Sequence, residues 1–399
     1  MSTMLAPSDE AGFAAVIAEA AAAKEPLSII GAGTKSCMLR PVQAARSLST
    51  RNHGGITLYS PNELVISARA GTPLADIETA LAEHGQHIIA EPSDLASVTG
   101  AKEPQTIGGV IATNLSGPRR VAWGAMRDHL LGIRAVTGAG QVIRSGGRVL
   151  KNVTGLDLCK LLAGSHGTLG VITEVTLKVL PAPEMVGTLV LHNLDATAGV
   201  AKLSAALGSP YSVSGAVWLP REAAARIGPF AGSVALIRIE DFAASVGYRT
   251  GRLRDDLGHA ETDILDDAAS RQVWRELRTM AALPTEHDDA VWRVSVRPSA
   301  GPAVLRTLAE GVGMRGYLDW GGGLVWLAGP PTAEAHQTVE TAAKLAGGTW
   351  TLMRAPEPLR VAVDVLPPEQ EVLARITRRV KMALDPHAIL NPGRMYAGL

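Results

Sequence analysis

After Ser8 the apolar residues Phe13, Val16, Ile17 and Ala20 return every three or four positions, which puts them on one side of an α-helix that Ser8 is placed to cap. The same spacing recurs in Leu74, Ile77 and Leu81, where Thr72-Pro73 opens a helix and Gly85 stops it. Elsewhere in the first half the period is two. Leu27-Ser28-Ile29-Ile30 is a short apolar run, Leu131 to Val136 turns at Thr137-Gly138-Ala139-Gly140 into Gln141-Val142-Ile143, and Val171, Thr173, Val175, Leu177 and Val179 alternate with Glu174, Thr176 and Lys178. These read as strands, the second of them half of a hairpin whose glycines supply the turn.

Beyond Pro181-Ala182-Pro183 the texture changes. A strand at Leu189 to Leu191 leads to a helix near Ala196 to Leu207, strands at Ser214 to Leu219 and Val234 to Ile239, and a charged helical region through Arg278. A second round follows: strand Val291 to Val296, helix Pro302 to Val312, strands Arg315 to Trp320 and Leu324 to Leu327, helix Ala333 to Leu345 and strand Thr349 to Met353. Two similar rounds imply one antiparallel sheet with helices on one side, so the expected fold class is α+β. A last helix, about Glu369 to Ala383, precedes the turn Asn391-Pro392-Gly393-Arg394.

Glycine is densest where strands end. Thr106-Ile107-Gly108-Gly109, Asn114-Leu115-Ser116-Gly117 and Gly164 to Glu174 join Gly31-Ala32-Gly33-Thr34-Lys35 as turns whose amides can approach an extended anion from several sides. That is the pattern of a dinucleotide held by loops. The first of these turns is not the helix-linked dinucleotide fingerprint, because Ser36 stands at the third glycine and Pro41 arrives too early for the required helix. No Gly-Lys-Ser/Thr phosphate signature follows it. Thr34, Ser36 and Lys35 still make it a competent anion nest, and taken singly it is equally compatible with an ordinary tight turn.

Composition narrows the classes. The 399 residues suit two or three domains. With 38 basic and 38 acidic residues the chain is formally neutral, which favours neither nucleic acid nor an anionic membrane surface. Cys37 and Cys159 lack Cys-x-x-Cys spacing, so neither an iron–sulfur cluster nor a disulfide framework is expected. Met1-Ser-Thr-Met-Leu-Ala-Pro7 carries no basic leader and no apolar run is long enough to span a bilayer. A cytoplasmic location is expected, with peripheral attachment to the cytoplasmic face of the inner membrane as the other placement.

Gly31 to Lys35, Thr106 to Gly109, Asp128-His-Leu-Leu-Gly132 and Gly164-Ser-His-Gly-Thr-Leu-Gly-Val-Ile-Thr-Glu174 together resemble the FAD-binding domain of flavoproteins of the vanillyl-alcohol oxidase and p-cresol methylhydroxylase type, over about the first half of the chain. A narrower likeness adds Leu115-Ser-Gly-Pro-Arg-Arg120, Lys151-Asn-Val-Thr-Gly-Leu-Asp-Leu158, Asp319-Trp-Gly-Gly-Gly323 and Leu390-Asn-Pro-Gly-Arg394, which are similar to the FAD-binding E subunits of bacterial glycolate oxidase and extend the resemblance to nearly the full length. The resemblance implies a two-part FAD-binding domain at residues 1–184, an antiparallel-sheet cap over the flavin ring at 185–357, and a segment at 358–399 that returns to the FAD domain.

Cofactor positions follow from the same resemblance. Gly31, Ala32, Gly33, Thr34, Lys35 and Ser36 would hold the pyrophosphate; Thr106, Gly108, Gly109, Ala112, Asn114 and Gly117 would line the other side of the diphosphate and ribityl chain. Pro92 and Ser93 would lie near the inner edge of the flavin, Gly167, Gly170, Val171 and Ile172 by the adenine, and Gly124 and Asp128 before the hairpin complete the set. Family members with covalent FAD commonly carry the linking histidine beside the pyrophosphate turn. Lys35-Ser36-Cys37 stands there in this chain, which implies non-covalent FAD, with Cys37 a structural cysteine.

Oxidation of a 2-hydroxy acid needs a cation for the carboxylate, a base for the hydroxyl proton and the flavin as hydride acceptor. The dehydrogenating D subunit that partners this family carries a His-rich, acidic metal-binding stretch in its cap, and no match to it is present, so no metal site is expected. His84-Gly85-Gln86-His87 crosses the Gly85 stop and reads as surface; His166 reads as a structural donor, and His129 and His387 lack a recognisable partner. Candidates over the flavin ring are Trp320, Arg354, Asn391 and Arg394, with Arg354 placed to clamp a carboxylate or else to face solvent at a strand end. Trp218 and Trp326 fit core packing, and Arg119-Arg120 would meet a phosphate or a partner subunit.

Three functions are open to such a chain. It can be the FAD subunit of a glycolate oxidase that works with a catalytic D subunit and passes electrons to an iron–sulfur F subunit. It can be a self-sufficient dehydrogenase or oxidase of another 2-hydroxy acid or a sugar lactone. It can be a structural subunit that has lost its cofactor, against which the intact glycine turns argue.

Overall fold

The computed structural model describes residues 3–147 and 156–399, so residues 151–155 of the Lys151 to Leu158 motif lie outside the described residues. The first helix, Glu10–Ala23, is capped by Asp9 instead of Ser8: the Asp9 carboxylate accepts the Gly12 amide at 2.7 Å, where a negative group also meets the positive helix end. Phe13, Ile17 and Ala20 form its buried stripe and pack with Leu27, Leu48 and Leu390.

Strands Thr3–Leu5, Arg46–Ser49 and Leu27–Ile30 lie side by side in that order as a small parallel sheet. A second, antiparallel sheet orders Ile56–Ser60, Val65–Arg69, Val171–Lys178, Leu130–Val136 and Val142–Gly146. The hairpin is formed as the sequence predicts, with Val136 opposite Val142. Val171–Lys178 is central in its sheet, and both of its faces are therefore covered: Thr173 is as buried as Val175. Helix Leu74–Ala82 follows Pro73, and helix Ile107–Thr113 is capped by Thr106.

The second unit is one eight-stranded antiparallel sheet in the order Thr262–Leu265, Met185–His192, Val234–Asp241, Val213–Leu219, Arg315–Asp319, Leu324–Gly329, Ala290–Ser295, Thr349–Arg354. Each round supplies four neighbouring strands, and the rounds meet edge to edge where Trp218 pairs with Leu318. Helices Ala196–Leu207, Ala243–Leu257, Gly301–Val312 and Ala333–Leu345 cover one face. The charged region also contains Asp267–Arg278, which lies on the opposite face: Trp274 donates to Thr188 at 2.9 Å, while the adjacent Gly187 looks at Val246 of Ala243–Leu257.

The C-terminal segment returns to the first unit. Leu27 donates to Ile389 at 2.7 Å, Asn391 donates to Leu27 at 3.0 Å, and Leu27 bridges Leu390 in parallel. Helix Glu371–Leu384 is held by Lys381, whose buried ammonium donates to Asp385 (2.7 Å) and to the carbonyls of Thr168 (2.7 Å) and Leu390 (2.9 Å). No helix among the described residues is long and apolar enough to cross a membrane.

Candidate functional site

The turn Gly31 to Ser36, the start of Ile107–Thr113 and the loop His166 to Ile172 converge on one cleft, closed by Glu357, Arg360, Asn391 and Arg394 from the C-terminal part of the chain. Fourteen of the expected cofactor positions line it: Gly31 to Ser36, Thr106, Gly108, Gly109, Ala112, Gly167, Gly170, Val171 and Ile172. Bare backbone is required here. A Cβ on Gly31 would stand 2.5 Å from the Thr106 hydroxyl, and one on Gly108 would stand 2.6 Å from the Ala70 methyl. Among the described residues the amides of Ala32, Gly33, Thr34 and Lys35 donate to no protein acceptor.

Charge in the cleft is lopsided. Lys35, Arg360 and Arg394 line it against one carboxylate, Glu357. The Lys35 ammonium donates to Gln105 at 3.1 Å and Thr34 at 3.3 Å, neither of them charged, and burial pulls its pKa down to about 8. Burial and the neighbouring Arg360 bring Arg394 down to about 10. Both guanidiniums grip the turn by its carbonyls: Arg394 donates to Lys35 (2.8 Å) and Arg40 (3.2 Å), Arg360 to Leu39 (3.1 Å) and Ser36 (3.3 Å). Carbonyls are thereby turned to the arginines and the amides are left for a ligand. Free amides and under-neutralised cations around bare glycines suit a diphosphate.

Asn391 clasps three segments together. Its side-chain oxygen accepts the Ile29 amide at 2.7 Å, and its nitrogen donates to His166 (2.8 Å) and Ile29 (3.2 Å). Asn391 and Arg394, expected over a flavin ring, therefore serve the cleft by holding its turns. His166 lines the cleft half-buried, with its pKa lowered to about 3 by desolvation and then by Arg394, so its ring stays neutral. Its own amide donates to Ala112 at 2.8 Å.

The remaining expected positions lie off this cleft. Ser93 donates to Ser116 at 3.5 Å, Pro92 accepts from Arg278 at 3.0 Å, and Asn114 caps Ile107–Thr113 and accepts the Arg127 amide at 3.0 Å. Gly124 takes φ +81°, Asp128 accepts the Ala125 amide at 2.9 Å, and Gly117 accepts the Trp320 indole at 3.2 Å. That last bond and several ionic ones form the seam between the first unit and the eight-stranded sheet.

Two expectations are corrected at the seam. Arg354 is no free clamp: its guanidinium is spent on the carbonyls of Val98, Glu286 (2.6 Å) and Asp289 (2.9 and 2.7 Å). Arg119 is not presented to a phosphate or a partner surface, because it turns inward to Glu240 (2.6 and 3.1 Å) and His87 (3.0 Å). His87 is thereby taken from any role with His84, which packs edge-on against Tyr59. Burial, then Arg119, drops the His87 pKa to about 4. The Arg119 pair joins Arg238 and Glu91, bonded at 3.1 and 2.9 Å, around a second cavity.

Arg360, Thr50 and Glu357 line the cleft and were not among the sequence candidates. Arg360 follows no glycine turn and belongs to no motif; its only local hint is a lone arginine in the short helix Glu357–Ala362. Arg238 and Glu240 read as the polar end of an ordinary strand, and nothing local marks them.

Comparison with known proteins agrees with this geometry. Residues 2–146 match the FAD binding domain family. The chain is 35% identical over 376 residues to the glycolate oxidase subunit GlcE of Escherichia coli K12, covering 94% of each chain. It is 34% identical over 176 residues to a D-lactate dehydrogenase of Archaeoglobus fulgidus, covering 44% of this chain and 38% of that one. Among solved structures, an alkyldihydroxyacetonephosphate synthase superposes with a TM-score of 0.67 at 18% identity, over 98% of this chain and 75% of that one.

Proposed function

The chain belongs to the family of the GlcE-type glycolate oxidase subunits, which are FAD-linked oxidoreductases, and from that premise we propose that it is the FAD-binding subunit of a glycolate oxidase. In this reading it holds FAD without a covalent link, works beside a catalytic D subunit in the oxidation of glycolate to glyoxylate, and passes electrons to an iron–sulfur F subunit. The observation that carries the reading is the cleft itself. Four separated stretches of chain bring free amides, bare glycines and three cations to one place.

Ala32 to Lys35 would bind the pyrophosphate through their amides, with Lys35, Arg360 and Arg394 balancing its charge. Gly108, Gly109 and Ala112 would line the opposite wall, and Gly170 to Ile172 the adenine end. Bound FAD supplies hydride acceptance from the hydroxyl carbon of the substrate. Lys35-Ser36-Cys37 stands beside the turn where covalent members of the family carry a linking histidine, so no histidyl–flavin bond would form. A second reading, a self-sufficient dehydrogenase of another 2-hydroxy acid, is favoured by the similarity to the D-lactate dehydrogenase.

The visible spectrum of the purified chain tests both, before and after anaerobic glycolate or D-lactate, alone and with its partner subunits. Flavin that is bound and stays oxidised until the partners are added supports the subunit reading. Bleaching by substrate in the isolated chain supports self-sufficiency, and a colourless chain that takes up no added FAD overturns both.

A further inference from the structure

Arg293 lies in the middle of Ala290–Ser295, between strands Leu324–Gly329 and Thr349–Arg354 and in register with Trp326 and Thr351. Its neighbour Trp292 donates to His336 of helix Ala333–Leu345 at 3.1 Å, so Trp292 faces the helix layer and strand alternation turns Arg293 to the other face. That face meets the first unit. On one flank Arg354 holds the carbonyl of Val98, and on the other the indole of Trp320 donates to Gly117 at 3.2 Å.

Arg238 and Arg354 also belong to this sheet face, and both are committed, the first to Glu91 and the second to backbone carbonyls. The guanidinium of Arg293 is not: among the described residues it has no hydrogen bond, ion pair or ring contact. Arg120 reaches the same region from the first unit, stacked 4.7 Å over the Trp320 ring and, among the described residues, without a hydrogen-bonded acid. Among the described residues, the charged and titratable groups whose charge acts on Arg293, or feels it, are Arg120 and the neutral His166 of the cofactor cleft. Burial, then Arg120, lowers the Arg293 pKa to about 10. Arg120 has Asp128 as an acidic neighbour, whereas no acid acts on Arg293 among the described residues, so the half-buried charge of Arg293 costs free energy that an anion beside it would return.

We propose that Arg293, with Arg120, binds the carboxylate of a small hydroxy acid in the seam beside the cofactor cleft, an assignment that rests on the reading of that cleft as a FAD site. A planar guanidinium takes a carboxylate through two parallel N–H donors, which fixes the direction of the rest of the acid. The charge of Arg293 is felt at His166, which lines the cofactor cleft, and this would put the held acid on the cofactor side of the seam. The chain would then contain its own substrate-anion site and not only a relay flavin.

The test is titration of the FAD-loaded chain with oxalate, an unreactive analogue of glycolate, followed through the perturbation of visible flavin absorption. The parent should show a saturating change; Arg293→Met should bind at least about tenfold more weakly, with Arg293→Lys between them and Arg120→Met also weakened. FAD content and the midpoint potential without oxalate should stay as in the parent. Equal oxalate affinity in the parent and Arg293→Met overturns the proposal, as does a parent that never saturates. A shifted midpoint potential at unchanged oxalate affinity overturns it too, since the guanidinium would then serve the reduced flavin. A chain that takes up no FAD is recognised by its missing colour; calorimetric titration of oxalate into parent and Arg293→Met then decides by the same criterion.

Discussion

Arg238 and Glu91 meet across the seam in a two-point ion pair of 3.1 and 2.9 Å, with the arginine side chain 1% exposed. The arrangement is reciprocal. The first unit contributes Glu91 and Arg119, the sheet contributes Arg238 and Glu240, and each arginine takes the glutamate of the other unit. Trp274 packs 4.3 Å under Arg238, so the cluster is sealed from one side. Four charges buried in this way cost desolvation that only correct pairing repays. The cluster thus sets how the sheet sits on the first unit, and with it the position of Arg293 at the seam.

Arg238→Met should therefore destabilise the chain by about 3–5 kcal/mol, because it leaves Glu91 buried without its hydrogen-bonded partner and with only Arg119, 3.9 Å away, to balance its charge. The double variant Arg238→Met with Glu91→Leu should recover more than half of that loss. Denaturant unfolding of both single variants and the pair measures it; simple additivity would show that the two side chains do not act as a pair. The arginines hold the carboxyl groups of Glu91 and Glu240 below their ordinary range against the opposing effect of burial. The stability they contribute is present above the unfolded glutamate pKa of about 4.3 and lost as pH falls below it.

Gly31→Ala puts a methyl 2.5 Å from the Thr106 hydroxyl, which also caps Ile107–Thr113 through the Gly109 amide at 3.4 Å. Both walls of the cleft should shift, and the dissociation constant for FAD should rise by about tenfold or more, read from the flavin fluorescence quenched on binding. Unchanged affinity would mean that this approach of the two turns is not where the cofactor is held.

Arg394→Met removes one of three cations and the grip on the Lys35 carbonyl. The rise in Tm caused by added FAD should shrink, corresponding to at least about tenfold weaker binding, or about 1.4 kcal/mol. Binding by the parent should weaken with added salt more steeply than binding by the variant.

Asp319 is buried at the end of Arg315–Asp319, and that burial raises its pKa to about 7 although its carboxylate accepts the Trp320 amide at 2.6 Å. The folded state therefore holds its proton more tightly than the unfolded chain. The stability this gives is full below the unfolded pKa of about 3.9 and is lost as pH rises through 7. Asp319→Asn keeps the accepting oxygen and removes the charge, so its Tm should exceed that of the parent at pH 8 and approach it at pH 5.

Non-covalent attachment predicts that acid precipitation leaves all of the flavin in the supernatant. Yellow colour retained in the washed pellet would point to a bond, with Cys37, partly buried and free of disulfide, the first residue to replace.

Much of the fold was legible because it is written locally. A helix stripe such as Phe13, Ile17 and Ala20 and the hairpin after Val136 depend on residues a few positions apart, and so do the glycine turns. Fourteen of the positions that the family resemblance implies for the cofactor line one cleft, a convergence that no local pattern shows. Ser8 and Asp9 show the limit of that reading, since both are good caps and only helix entry geometry chose between them.

By itself, then, the sequence determined the elements, their α+β order and the turns able to hold a dinucleotide, because periodicity and backbone freedom are properties of neighbouring residues. Tertiary structure alone decided which charges are spent and which are free. Asn391 meets Ile29 across 362 positions and Arg238 meets Glu91 across 147, and no pattern along the chain encodes such pairs. Arg354, Trp320, Asn391 and Arg394 looked available in one dimension and are occupied in three. Arg293 looked like an ordinary strand residue, and only the packing of the sheet against the first unit leaves it half-buried and, among the described residues, unpaired.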